Sequence, residues 1–195
     1  MRRLKMIVLL VLAGSLVGCG INNIPTFDEQ VKAAWAQVEN QYQRRADLVP
    51  NLVATVKGFA AQEKETLTAV VEARSKINQM RVDENLINNP QALQRFEAAQ
   101  GELSSALSRL MVVVERYPDL KSNQNFLALQ SQLEGTENRI SVARRDFIQS
   151  VSTYNTEIRT FPGRIWHSLL YSDMPIRETF AATTENAEQA PKVEF

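Results

Sequence analysis

Residues 31–56, VKAAWAQVENQYQRRADLVPNLVATV, decide the fold that this chain can adopt. Apolar and aromatic side chains recur there at alternating intervals of four and three residues, which places them along one face of a helix. A seven-residue repeat of this kind is typical of helices that pack in a left-handed bundle, as in a coiled coil. The repeat continues to residue 80, through Val31, Trp35, Val38, Tyr42, Arg45, Val49, Leu52, Val56, Phe59, Glu63, Thr66, Val70, Ala73, Ile77 and Met80.

Pro50 lies inside this repeat and leaves two interpretations open. Proline lacks a backbone N–H and disfavours helical geometry at the residue before it, at a cost of about 3 kcal/mol inside a continuous helix. Either the helix bends and continues, or it splits and Asp47 caps a new helix. Because the repeat keeps the same phase on both sides, we predict one long kinked helix over residues 27–81, begun by a capping box of Thr26 and Glu29.

Two further long helices are predicted downstream. Asn89 followed by Pro90 is typical of a helix start, and Ser122 or Asn123 can cap a third helix after the break at Tyr117–Pro118. Short connections between long amphipathic helices favour antiparallel neighbours. We therefore expect an all-α fold, an elongated antiparallel bundle of three long helices, with the first kinked or split at Pro50.

The end of the third helix is predicted at Phe161–Pro162, and a short amphipathic helix follows. Ile165, Trp166, Leu169 and Leu170 have the spacing of such a helix, and we expect them to pack on the bundle. The segment 161–180 is the candidate to cover Trp35 and Val38. The predicted domain organisation is a signal segment over residues 1–18, a tether over 19–26, the bundle over 27–182 and a tail over 183–195.

The N-terminal segment resembles a bacterial lipoprotein signal. Three basic residues precede an apolar run over residues 6–17, and Leu16–Val17–Gly18–Cys19 follows the pattern of a lipoprotein processing site. As a helix, residues 6–18 would span roughly 20 Å, less than the roughly 30 Å of a bilayer core. We expect cleavage after Gly18 and lipidation, with palmitate among the acyl chains, at Cys19. The alternative is an uncleaved N-terminal anchor in which Cys19 is an ordinary apolar residue.

Charge and cysteine content restrict the class of protein further. The chain has 22 basic and 22 acidic residues, and the segment before Cys19 holds three of the basic ones, so the mature chain would be net acidic by three. A net acidic chain argues against nucleic acid as a partner, because binding to phosphates needs a basic face. Cys19 is the one cysteine, so no intramolecular disulfide can form.

Five polar residues occupy positions that a bundle normally keeps apolar: Arg45, Glu63, Gln100, Glu137 and Arg144. One interpretation places them at the ends or edges of the bundle, with packed stems and solvated heads. The other is a buried polar layer in which an arginine pairs with a glutamate, which fixes the register of the helices more than it stabilises them.

Candidates for catalysis and metal binding are few. A di-metal carboxylate bundle needs two Glu-x-x-His pairs, and the single histidine, His167, has no glutamate three residues before it. A zinc site lacks ligands in the same way. A serine nucleophile would need His167 and a carboxylate to converge on it. We therefore predict no metal, no cofactor and no catalytic residue, with His167 at the surface beside Trp166.

The last residues, Val193–Glu194–Phe195, carry two alternatives. An apolar residue, a spacer and a C-terminal apolar residue are the kind of tail that a PDZ domain takes as an added strand. The other interpretation, which we favour because such short patterns are common, is that Val193 and Phe195 dock on the bundle itself.

The chain resembles the LemA family from residue 27 to its end. The resemblance is carried by three groups of residues: Arg44–Arg45–x–Asp47–Leu48–Val49–Pro50–Asn51–Leu52–Val53; Tyr117–Pro118–x–Leu120–Lys121–x–Asn123; and Tyr154–Asn155, Ile158 and Phe161–Pro162. It implies a membrane-tethered, mostly helical domain with no established activity and no agreed active site. Members of this family typically have an N-terminal transmembrane helix, which the lipoprotein-type signal would replace here.

Together these features predict a non-enzymatic, lipid-anchored protein of the bacterial envelope that acts as a scaffold or interaction module for an unidentified protein partner. Because Gly20 follows Cys19 where an aspartate would favour inner-membrane retention, we expect the outer membrane, facing the periplasm. The alternatives are an accessory subunit that senses envelope stress or regulates a membrane protease, and a hydrolase whose pocket the sequence does not reveal. The oligomeric state stays open.

Overall fold

The computed structural model describes residues 20–80 and 86–180, and these residues form an all-α fold without strands, which confirms the predicted fold class. The predicted signal segment 1–18, Cys19 and the tail 183–195 lie outside the described residues. The helices are α1 (Asn23–Phe59), α2 (Lys64–Gln79), α3 (Pro90–Val114), α4 (Pro118–Lys121), α5 (Gln124–Arg159) and α6 (Gly163–Leu170), with a 3₁₀ turn at Leu86–Asn88.

Pro50 lies inside α1, which continues past it, so the first helix is not split there. The predicted extension of this helix to residue 81 is wrong, because α1 ends at Phe59 and the chain turns over residues 60–63. Phe59 is 43% exposed, and Ala60 takes the buried position instead. The four-residue turn nearly preserves the apolar spacing, so the reversal is hidden in the repeat. Residues 20–80 and 86–180 therefore contain four long helices, α1, α2, α3 and α5, where three were predicted.

The helix boundaries show which capping signals are valid. Asn89 caps α3, since its side chain accepts from the amides of Gln91 and Ala92, each at 3.1 Å. Asn123 caps α5 by accepting from the amide of Phe126 at 3.1 Å. The predicted capping box at Thr26 is wrong because α1 begins earlier, at Asn23. Proline is tolerated in a first helical turn, where its missing N–H has no helical acceptor, so residue 25 does not delay the start.

The chain divides into two compact units. In the described residues, unit 1 comprises 20–42 and 138–177, and unit 2 comprises 43–80, 86–137 and 178–180. Unit 2 packs the C-terminal part of α1, α2, α3 and the N-terminal part of α5. Its largest fully buried apolar residues are Phe96, Phe126, Leu52, Ile87, Leu103, Leu110 and Leu120.

Unit 1 packs the N-terminal part of α1 against the C-terminal part of α5. Trp35 and Phe147 are both buried, with ring centroids 5.3 Å apart and the rings tilted by 60°. Such tilted aromatic pairs add to the stabilisation that burial alone provides. The short helix α6 exists as predicted, but Ile165, Leu169 and Leu170 are exposed. The prediction that these three side chains pack on the bundle is wrong.

Candidate functional site

A buried arginine on α1 forms the main polar centre of unit 2. The apolar repeat that makes α1 a bundle helix places Arg45 on its core face, and the guanidinium is almost fully enclosed. Arg45 Nη1 donates to Ser104 Oγ of α3 at 2.8 Å and to Glu137 Oε1 of α5 at 2.6 Å. We call Arg45, Gln100, Ser104 and Glu137 the Arg45 centre.

The second amino group of Arg45 binds α3. Arg45 Nη2 donates to the side-chain oxygen of Gln100 and, at 3.3 Å, to its backbone carbonyl. One guanidinium thus connects three helices of unit 2 through four acceptors. Hydrogen bonds to a charged donor are stronger than those between neutral groups, and burial of the arginine without them would be costly. The Arg45 centre therefore fixes the register of α1, α3 and α5.

Two members of the predicted polar layer lie elsewhere. Glu63, in the turn between α1 and α2, accepts from the hydroxyl of Tyr117 at 2.7 Å and from Arg116 at 3.2 Å. The hydrogen bond to the Glu63 carboxylate raises the pKa of Tyr117. In unit 1, Arg144 Nη1 donates to the hydroxyl of Tyr42 at 3.0 Å. The structure thus brings together Arg45, Gln100 and Glu137 and separates the other two.

Arg74 explains how α1 accommodates Pro50 in its interior. In an α-helix the amide of residue 50 would donate to the carbonyl of residue 46, and a proline has no such amide. Arg74 Nε of α2 donates to the Ala46 carbonyl oxygen at 2.8 Å instead. A side chain of the neighbouring helix thereby supplies the donor that Pro50 removes. Ala46 is buried, so its carbonyl depends on a protein donor.

A groove of about 370 Å³ lies between α3 and α5 in unit 2, directly beside the Arg45 centre. Ser104 and Glu137 line it and also accept hydrogen bonds from Arg45. Three apolar residues and three polar residues, of which Gln130 is half-buried and the other two are exposed, complete the lining: Leu107, Met111 and Leu133, and Ser108, Gln130 and Glu134. A cleft of this size with an apolar lining and a few polar groups is typical of a binding site. We call it the α3–α5 groove.

Sequence reasoning missed a buried ion pair in unit 1. Arg177, in the non-helical segment after α6, donates from Nε at 3.0 Å and from Nη2 at 2.5 Å to Asp28 Oδ1 of α1. Both side chains are buried. Lys32 also contacts Asp28, at 3.2 Å, and its hydrogen bonds to Glu29 and Asp28 raise the pKa of Lys32. No periodic pattern reveals the pair, because its members are 149 residues apart in sequence.

Tyr154 and Asn155 hold the same non-helical segment against α5. The Tyr154 hydroxyl donates to the carbonyl of Pro175 at 3.0 Å, and Asn155 exchanges two hydrogen bonds with the backbone of Arg177, at 2.9 and 3.0 Å. Burial raises the pKa of Tyr154, and the nearby charge of Asp28 adds to this effect. These contacts give Tyr154–Asn155, one of the motifs singled out in the sequence, a structural role.

His167 and the candidate metal ligands of the described residues have the following surroundings. His167 Nε2 lies 2.8 Å from the carbonyl oxygen of Met174, so this nitrogen is engaged by the backbone. Within residues 20–80 and 86–180, no three potential ligands cluster as a metal site requires. Nor does a helix in this part of the chain combine the length and apolar character needed to cross a bilayer. Val193 and Phe195, like Gly18 and Cys19, lie outside the described residues.

Comparison with known proteins agrees with the resemblance noted in the sequence. The chain is 28% identical over 166 residues to magnetosome protein MamQ 2 of Paramagnetospirillum magneticum, and 29% identical over 157 residues to magnetosome protein MamQ of Magnetospirillum gryphiswaldense. It is 23% identical over 140 residues to protein LemA of Metamycoplasma hominis. These matches cover 77%, 72% and 72% of the chain, which spans about 60% of the length of these relatives. The model of the LemA family matches residues 34–195, so the chain belongs to the LemA family.

Proposed function

We propose that this protein is a lipid-anchored scaffold of the bacterial envelope that binds an apolar segment of a partner protein in the α3–α5 groove. One observation carries the proposal: Ser104 and Glu137 line the groove and also accept hydrogen bonds from the buried Arg45. The groove wall is thereby held by a buried arginine rather than by mobile surface side chains. A preorganised wall lowers the entropic cost of binding.

The lining of the groove favours a helical segment as the ligand. Its apolar residues run along two packed helices, and an amphipathic helix presents apolar anchors at matching intervals of three and four residues. Met111 lies among them, and methionine adapts readily to differently shaped apolar partners. The exposed polar rim, which includes Ser108 and Glu134, provides hydrogen bonds that orient the bound segment.

The anchor belongs to the same proposal. Cys19 carries the lipid after cleavage at Gly18, and the bundle faces the periplasm from the outer membrane. The sequence pattern at Leu16–Cys19 supports this assignment, as does the membrane tether implied by the resemblance to the LemA family. The proposal assigns no catalytic role to any residue, and the engagement of His167 by a backbone carbonyl supports this.

Variants in the groove test the binding role. We expect affinity capture from detergent-solubilised envelopes to retain one defined partner with the parent chain and to lose it with Ser108→Arg, because an arginine there puts a bulky charge against the apolar lining. Ser131→Arg is the matched control, since Ser131 is exposed on α5 and is not part of the groove lining. Equal capture by both variants would refute the groove as the binding site.

Lipid labelling tests the anchor separately. Cells supplied with a labelled palmitate precursor should incorporate it into the parent chain and not into Cys19→Ala. An unlabelled parent chain, or undiminished label in Cys19→Ala, would contradict the lipoprotein assignment. The two experiments are independent, so the groove and the anchor can fail separately.

A further inference from the structure

An apolar surface at the end of unit 1 faces away from the core. Phe161 is 83% exposed and Leu169 is 70% exposed, and Ile165 and Leu170 are also exposed. Residues four apart in a helix share one face, which places Ile165 and Leu169 side by side on α6, while Leu170 is the last residue of α6 and Phe161 lies just before the helix. We call Phe161, Ile165, Leu169 and Leu170 the α6 patch. Contiguous exposed apolar surface marks an interaction site more often than single exposed residues do.

The α6 patch is held in place by close packing on the opposite side of the helix. Gly163 is buried, and a Cβ atom there would lie 2.2 Å from the backbone oxygen of Glu157, so only glycine fits. Glu157 in turn accepts from Asn23 of α1 at 3.1 Å. At the other end of α6, His167 contacts the carbonyl of Met174. These contacts fix the position of α6, and the patch lies exposed on this fixed helix.

The position of Gly20 beside Pro162 indicates what meets this surface. A Cβ atom on Gly20 would lie 3.9 Å from the ring of Pro162, so Gly20 sits beside the residue that links Phe161 to α6. Cys19 is the next residue, and consecutive Cα atoms are about 3.8 Å apart. A lipid attached to Cys19 therefore enters the membrane next to the α6 patch.

Two basic side chains flank the start of the α6 patch, and one exposed acidic side chain, Asp173, follows its end. Arg159 is the last residue of α5, two residues before Phe161, and Arg164 lies in the first turn of α6; both are exposed. Apolar side chains flanked by basic ones are typical of helices that lie in the membrane interface, where the cations meet lipid phosphates.

We infer that the α6 patch inserts its apolar side chains into the interface of the membrane leaflet that holds the lipid anchor, and so orients unit 1 on the membrane. This inference rests on the proposed lipid anchor. A second copy of the chain is the competing occupant, and the experiment below separates the two.

The test uses the full lipid-bearing chain reconstituted in vesicles of phosphatidylethanolamine and phosphatidylglycerol. An environment-sensitive nitrobenzoxadiazole probe is attached to Leu169→Cys or, as the matched control, to Val112→Cys, since Val112 is 71% exposed on α3 of unit 2. The parent chain carried through the same labelling corrects for any probe on Cys19. Flotation with the vesicles and quenching of the probe by nitroxide-labelled lipid are measured on each sample.

The inference predicts that all samples float, and that the probe at residue 169 is blue-shifted and quenched by the labelled lipid while the probe at residue 112 is not. Adding Phe161→Ser and Ile165→Ser should reduce the quenching at residue 169. Flotation without quenching at residue 169 would overturn the inference and leave the anchor intact. A blue shift without lipid quenching would assign the patch to a second copy and also overturn it. Loss of flotation would overturn the anchor, and with it the inference.

Discussion

Each of the two units contains a buried arginine, but the arginines differ in where their acidic partners lie. Arg177 in unit 1 pairs with Asp28, and both side chains are buried. Arg45 in unit 2 pairs with Glu137, whose side chain is 47% exposed, and it also binds a neutral amide and a hydroxyl. The exposure of the acidic partner decides how much its charge contributes, because water screens the half-exposed carboxylate of Glu137 more than the buried carboxylate of Asp28.

The largest predicted effect is the loss of the charge at Asp28. Asp28→Asn leaves the buried guanidinium of Arg177 without its acidic partner, and breaking a buried pair in this way costs about 3 kcal/mol or more. Urea denaturation followed by circular dichroism measures the change in the free energy of unfolding. The control Lys32→Met removes a partly exposed partner of the same carboxylate and should cost less than about 1 kcal/mol. Equal losses of unfolding free energy in the two variants would contradict this prediction.

A smaller effect is expected at the hydrogen-bond network around Pro50. Arg74→Met should cost about 1.5 kcal/mol, because it removes a charged donor from the buried carbonyl of Ala46. In a Pro50→Ala background the backbone amide of residue 50 replaces that donor, so the same change should cost about 1 kcal/mol less. A double-mutant cycle by urea denaturation measures this coupling. Additive effects would show that Arg74 does not compensate for the proline.

Glu137→Gln tests the other side of the comparison. We expect a loss of about 1 kcal/mol, because water already screens the half-exposed carboxylate and because Ser104 and Gln100 still accept from Arg45. The measurement is the same denaturation assay under the same conditions. A loss as large as that of Asp28→Asn would mean that exposure of the acidic partner does not control the cost.

The smallest effect concerns alkaline pH. The pKa of Tyr154 is raised above its ordinary value of 10.0, mainly by burial, so the folded chain holds this proton more tightly than the unfolded chain. Stability from this group is complete below about pH 10 and is lost as the pH rises towards the raised pKa. Between pH 8 and pH 10.5 the parent chain should lose more unfolding free energy than Tyr154→Phe. Equal losses would contradict this assignment.

The contrast between the arginines also explains what could be predicted from the sequence. Arg45 was identifiable because it interrupts an apolar repeat inside a helix, and position in a repeat reports burial. Asp28 and Arg177 gave no such signal, since Arg177 lies in a segment without periodicity and pairs across 149 residues. The turn after Phe59 was missed because it nearly preserves the spacing of the repeat. The amphipathic pattern predicted α6 correctly but does not reveal what its apolar face meets.

The proposed binding site is the wall of the α3–α5 groove, which the buried Arg45 centre holds in place. The most direct measurement places a photoreactive phenylalanine analogue at position 108, inside the groove, or at position 131, outside it, and irradiates intact envelopes. We expect one adduct of defined mass from position 108 and none from position 131. Equal adducts from both positions, or none from position 108, would contradict it.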